Sequence, residues 1–142
     1  MQLILVIMGL IPFAFGYFMN WLIMTYQDSI TLFNLVSILY LVLWGTIAYF
    51  AKSYIKSVKK IVIGQNLAAF IVLLLIGIQE LILHQYWLNF VGISTQYFYL
   101  PLIRFGYLFT NWSNSIFIWY CAAFVMMVMV SILGCKLRRN KY

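Results

Sequence analysis

The sequence predicts an all-α integral membrane protein. It should have four transmembrane helices, both termini on the cytoplasmic side, and a long aromatic outer loop between the third and fourth helices. Three observations predict this. Hydrophobic residues make up 66% of the 142-residue chain and charged residues only 8%, where a soluble domain has about a quarter charged; a soluble protein of this size could not hide so much apolar surface. Four apolar runs, at about 3–24, 30–50, 61–83 and 113–134, are each long enough to cross about 30 Å of hydrocarbon. Eight of the nine basic residues fall in two short segments, Lys52, Lys56, Lys59 and Lys60, and Lys136, Arg138, Arg139 and Lys141. Segments rich in Lys and Arg stay on the cytoplasmic side during insertion, and two crossings separate the clusters. Residues 1–142 form a single domain, with no linker and no convincing internal repeat.

The first run opens with MQLILVIMG, which lacks the basic n-region and small-residue cleavage site of a signal peptide, so it is expected to be a permanent span. Gly9, Pro12, Gly16 and Asn20 recur at three- and four-residue steps and share one helix face. Small residues there let a neighbouring helix approach. Pro12 should kink the span near its middle, because it removes a backbone hydrogen bond. Thr25–Ser29 is a tight polar turn in which Asp28 or Ser29 can cap the second helix. In the second span Asn34, Ser37, Leu41, Gly45 and Ala48 form a stripe, and Trp44, Tyr49 and Phe50 are expected at the inner interface. The basic loop follows.

In the third span Gly64 and Ala68 form a small-xxx-small packing pair. Asn66, Leu73, Glu80 and His84 lie on one face. Asn66, inside the inner leaflet, should hydrogen-bond to Asn34 or Ser37. Residues 85–112 hold ten aromatics. The stretch 81–103 is long enough for a fifth span, but its centre is polar at Ser94, Thr95 and Gln96. A fifth crossing would also put the two basic clusters on opposite sides. The segment is therefore expected to lie in the interface as a short amphipathic helix, or to dip back as a re-entrant piece around residues 99–102. The last span ends in a soft, methionine-rich half and the basic tail.

The sharpest chemical candidate is Glu80 with His84 at i, i+4, neighbours on a regular helix. An acid beside an imidazole can hold or relay a proton, or bind a cation. With Arg104, Asn20, Asp28 and the loop aromatics, Tyr97 and Tyr99 among them, they would form an outward-facing ligand pocket. The plainer expectation is an interfacial pair that caps the helix and pairs with Arg104. Cys121 and Cys135 are about 21 Å apart on one helix, too far for a disulfide. Cys135 lies where palmitoylation occurs. Asn111-Trp112-Ser113 matches the N-glycosylation pattern, without force if the source is bacterial.

No metalloprotease, nucleophile-elbow or Walker A motif is present. Two acids and one histidine leave little for acid–base catalysis, and no metal or cofactor is expected. A net charge of +7 would point to nucleic acid in a soluble protein. Here it points to the bilayer, with anionic headgroups at Lys52, Lys56, Lys59, Lys60 and the C-terminal tail. The expected location is a bacterial cytoplasmic membrane. The leading functional expectation is an accessory or structural subunit, packed in a homo-oligomer or larger membrane complex. A small transporter or substrate-binding membrane component is the alternative. A lipid-modifying enzyme using Glu80 and His84 comes third.

Overall fold

A computed structural model of the chain describes residues 2–27 and 29–138. Asp28, and Arg139 and Lys141 of the tail, lie outside the described residues. The described elements are all helical: α1 Gln2–Met8, α2 Ile11–Thr25, α3 Ile30–Ala51, α4 Val58–Gly77, α5 Phe90–Phe98, α6 Leu100–Phe109 and α7 Ile116–Leu137. A π-helical turn, Ile78–Ile82, continues α4. Four segments are long and apolar enough to span a membrane: Leu3–Thr25, Ile30–Ala51, Val58–Ile82 and Ile116–Leu137. The last starts three residues later than its apolar run, because Ser113, Asn114 and Ser115 form its polar entry.

The first segment is broken rather than bent. α1 stops at Met8 and α2 begins at Ile11, and the N–H groups of Leu10 and Phe13 take tight i−3 bonds of 3.0 Å across the gap. Met8 is the residue whose carbonyl the Pro12 ring would strike in a continuous helix. The break therefore falls one turn before the proline, which sits buried in the first turn of α2.

α3 and α7 run side by side in the same direction. The Tyr40 hydroxyl meets Met127 Sδ at 3.7 Å, and eight residues further along the Cys135 thiol meets the Ala48 carbonyl at 3.7 Å. Between these contacts Gly134 lies directly against the Gly45 carbonyl. Both helices finish at one end of the bundle, capped by Lys52 and Arg138. α4 starts at that same basic end with Lys59 and Lys60.

α5 and α6 form a hairpin inside the bundle. Asn89 caps α5 through its side chain, which accepts from the Gly92 N–H at 2.9 Å. Phe98 meets the Phe13 ring edge-on with centroids 4.8 Å apart, and the Tyr99 hydroxyl donates to the Ala69 carbonyl at 2.6 Å. Phe13 and Ala69 lie near the middles of their segments, so α5 descends to mid-bundle. α6 then returns, with Gly106 pressed on the Trp119 carbonyl near the start of α7. Much of the aromatic segment is thus core: Phe98, Tyr99, Pro101 and Leu102 are fully buried with Tyr40, Trp44 and Met127. Trp44, expected at an interface, is completely enclosed and stacks on Tyr40 at 5.8 Å. In lipid such a core is held by close packing and hydrogen bonds, because apolar surface gains little by leaving one hydrocarbon medium for another.

Candidate functional site

At the end opposite the basic cluster, the π turn positions the chain's one glutamate. The Leu83 N–H reaches back five residues to the Ile78 carbonyl at 3.0 Å. The wider turn lets two consecutive side chains, Gln79 and Glu80, both find protein partners. π turns occur frequently at functional sites, so each bond matters.

Gln79 is fully buried. Its amide donates to the Thr95 hydroxyl at 3.2 Å and the Leu75 carbonyl at 3.3 Å. Its side-chain oxygen accepts the Trp87 N–H at 3.0 Å. Together with the Tyr17–Ser94 hydroxyl bond at 2.8 Å, it fastens α5 between α2 and α4. Ser94 and Thr95, whose polarity argued against a fifth span, are here the anchors of the hairpin.

Glu80 turns toward α7. One carboxylate oxygen accepts the Phe117 N–H at 3.0 Å and the Ser115 hydroxyl at 3.2 Å. The other accepts the Tyr86 hydroxyl at 2.6 Å. A carboxylate at a helix N-terminus satisfies donors with no intrahelical partner and meets the positive end of the helix dipole. Hydrogen bonds to a charged group contribute about 1.5–3 kcal/mol each. Burial, then the bond to Glu80, pushes the Tyr86 hydroxyl well above its usual pKa.

The residues expected to line one outward pocket are dispersed. His84 is exposed, with a left-handed backbone (φ 50°) that ends the helix. The π turn and this reversal remove the i, i+4 geometry that made it a neighbour of Glu80. Arg104 is half-buried on α6, and among the described residues it makes no ion pair with Glu80; the α7 N-terminus takes that place. Tyr99 is core, with its hydroxyl on a backbone carbonyl. Tyr97 is half-buried, edge-on to Tyr17 at 5.1 Å, and Asn20 is half-buried on α2.

A second polar layer crosses the half of the bundle nearer the basic end. Asn66 accepts the Trp44 indole N–H at 3.3 Å and donates to the Ser131 hydroxyl at 3.0 Å. Gln65 donates to the Trp44 carbonyl at 2.9 Å. Asn66 therefore ties α4 to α3 and α7 through Trp44 and Ser131, not through Asn34 or Ser37. Depth explains the difference. Counted from the basic end at 1.5 Å per residue, Asn66 is about 12 Å up α4 and Trp44 about 10 Å up α3, while Ser37 is about 21 Å up. Ser37 instead bonds the Phe33 and Pro101 carbonyls, and the Asn34 side-chain oxygen is buried without a partner.

The small-residue sites divide. A Cβ on Gly16 would overlap the Tyr97 carbonyl, and one on Gly9 would sit 2.8 Å from the Gln65 oxygen. Gly64 is unlike them: its nearest neighbour would be Leu5 at an ordinary 3.6 Å. Ala68 is buried in the main core. The close crossings at Gly106 and Gly134 escaped sequence reading: Gly134 has no small residue four away, and Gly106 pairs at that spacing only with Thr110, a weak signal in a segment expected at the interface. Among the described residues no three His, Cys, Asp or Glu side chains gather to hold a metal. No protein-family model, curated protein or solved structure matches the chain.

Proposed function

We propose that this chain is a small polytopic subunit of a membrane complex that acts by helix packing and binding rather than by chemistry. One observation carries the reading. The only glutamate, the best candidate for proton or cation chemistry, is committed to three internal bonds that hold the start of α7 and the Tyr86 link. The buried amides Gln65, Asn66 and Gln79 likewise bond between elements of the bundle. The exposed surface of the four long segments is large and apolar, which suits lipid and partner helices.

The basic end belongs on the cytoplasmic side, by the rule that Lys and Arg remain inside. A bacterial plasma membrane is the setting we propose. The α5–α6 hairpin is then a re-entrant piece entering from the outer face. At its break the Leu102 and Ile103 N–H groups bond the Tyr99 carbonyl and the Ser37 hydroxyl donates to the Pro101 carbonyl, the kind of satisfaction that backbone at that depth requires. Single cysteines at Lys59 and Asn89, in a chain with Cys121 and Cys135 replaced, should be labelled from opposite faces of sealed vesicles; labelling from one face overturns the sidedness.

The deciding test of function is native mass spectrometry of the protein gently extracted from its own membrane. A reproducible second polypeptide, or a defined homo-oligomer, supports the subunit reading. A lone monomer whose proteoliposomes show pH-dependent uptake, abolished by Glu80→Gln, refutes it in favour of transport. The transport reading keeps one structural argument: the α1–α2 break and the α5–α6 half-helices are the kind of discontinuity that lines transporter sites.

A further inference from the structure

We infer that the groove between α3 and α7 at the basic end binds one anionic phospholipid, with an acyl chain in the cleft and its phosphate on Arg138. This goes beyond the subunit reading, which stands or falls without it.

The groove follows from two residues without side chains. Gly134 lies against the Gly45 carbonyl, so the two helix backbones nearly touch. Neither glycine fills the space in front of the crossing, and an apolar cleft of about 590 Å³ opens there. Larger residues wall it, among them Val42, Phe50, Val130 and Leu137. Thr46 does not make the cleft polar, because its hydroxyl is turned back onto the Val42 carbonyl at 2.7 Å. Such a slot accepts a hydrocarbon chain.

The charge at its mouth decides which hydrocarbon. Tyr49 forms the end of the cleft. The Arg138 guanidinium stands 5.3 Å from the Tyr49 ring centroid and donates one long bond, 3.4 Å, to the Tyr49 carbonyl. Guanidinium has five N–H donors in a planar fork that matches phosphate oxygens in pairs, so among the described residues most of its capacity is open. Lys52 caps the adjacent helix end and Lys136 is exposed in the last turn of α7. The one described carboxylate, Glu80, is at the far end of the bundle. A second copy of the chain would fill the apolar slot but would bring no described acid to this end. An anionic phospholipid fills the slot and pairs the cation in one molecule.

The test uses the full chain in nanodiscs of equal phosphatidylglycerol and phosphatidylcholine, released for native mass spectrometry. The wild type should retain one lipid, enriched in phosphatidylglycerol over the bilayer ratio. Arg138→Gln should lower that enrichment about fivefold, the equivalent of one surface cation at about 1 kcal/mol. Arg138→Lys keeps the charge without the fork and should fall between. Thr46→Trp, filling the slot, should reduce retention of both lipids. Retention at the bilayer ratio, or an unchanged ratio in Arg138→Gln with wild-type thermal stability, overturns the proposal. So does a lipid-free dimer that crosslinks through Val42→Cys, which would assign the groove to a second copy.

Discussion

Replacing Gly16 with alanine tests how tightly the hairpin is packed into the bundle. The added methyl would sit 2.6 Å from the Tyr97 carbonyl carbon and 3.2 Å from its Cβ. Carbon atoms are comfortable at about 3.5–4.0 Å and the Tyr97 carbonyl oxygen is nearer still, so α5 must retreat from α2 by at least about 1 Å. The obstacle is backbone within a helix, which cannot swing aside as a side-chain tip would. A retreat of that size stretches the Tyr17–Ser94 bond, now 2.8 Å, and opens the Phe13–Phe98 contact. Overpacking of this kind costs about 1–3 kcal/mol. Alanine regains about 0.8–1.0 kcal/mol of helix propensity over glycine, leaving a net loss of up to about 2 kcal/mol and a gap of about 1–3 kcal/mol from a glycine-to-alanine change without the clash. Gly64→Ala is the control: it carries the same propensity gain and meets only Leu5 at 3.6 Å, so it should be neutral or stabilising. Reversible unfolding of both variants in mixed micelles measures the difference. Equal stability of Gly16→Ala and Gly64→Ala would refute the close approach of α2 and α5.

Two further outcomes follow from Glu80 and Tyr86. Glu80→Ala strips the Phe117 N–H, the Ser115 hydroxyl and the Tyr86 hydroxyl of their acceptor; unfolding should become easier by about 3 kcal/mol or more, since each bond to the charged group contributes about 1.5–3 kcal/mol, while Glu80→Gln, which keeps an acceptor, loses about half as much. Tyr86 holds its proton more tightly in the folded protein than at its usual pKa of 10.0, through burial and the bond to Glu80. Its share of stability is complete below pH about 10 and is lost as pH rises beyond it. The wild type should therefore lose stability faster than Tyr86→Phe as pH rises from about 10 to about 12, measured by thermal unfolding in detergent.

How far the sequence could be read depends on the kind of interaction. Asn66 was legible as a residue in need of a partner, and counting depth along α3 and α4 would have favoured Trp44 over Ser37. Its second partner, Ser131, depended on α7 lying parallel to α3, which follows from the parity of crossings. Glu80 was legible as a helix-end cap, but not as the cap of a different helix. The π turn that aims it at Phe117 inserts one residue into the helical period, and no residue type at 78–82 announces it. The aromatic segment was the least legible. Aromatic rings suit a membrane interface and a packed lipid-embedded core equally well, so composition could not distinguish them.

The sequence by itself determined that there are four long apolar helices and that the basic residues, apart from Arg104, gather in two segments. Those features depend on local composition and length, measured against the thickness and polarity of a bilayer. Only the tertiary structure decided that the hairpin enters the bundle, that Glu80 closes the start of α7, and that Gly45 and Gly134 leave an open groove beside Arg138. Each of these is a meeting between residues distant in the chain. Hydrocarbon solvent does little to select among such meetings, because it offers no large gain for burying one apolar face over another. Shape and the pairing of a few polar groups make the choice, and both exist only once the helices are side by side.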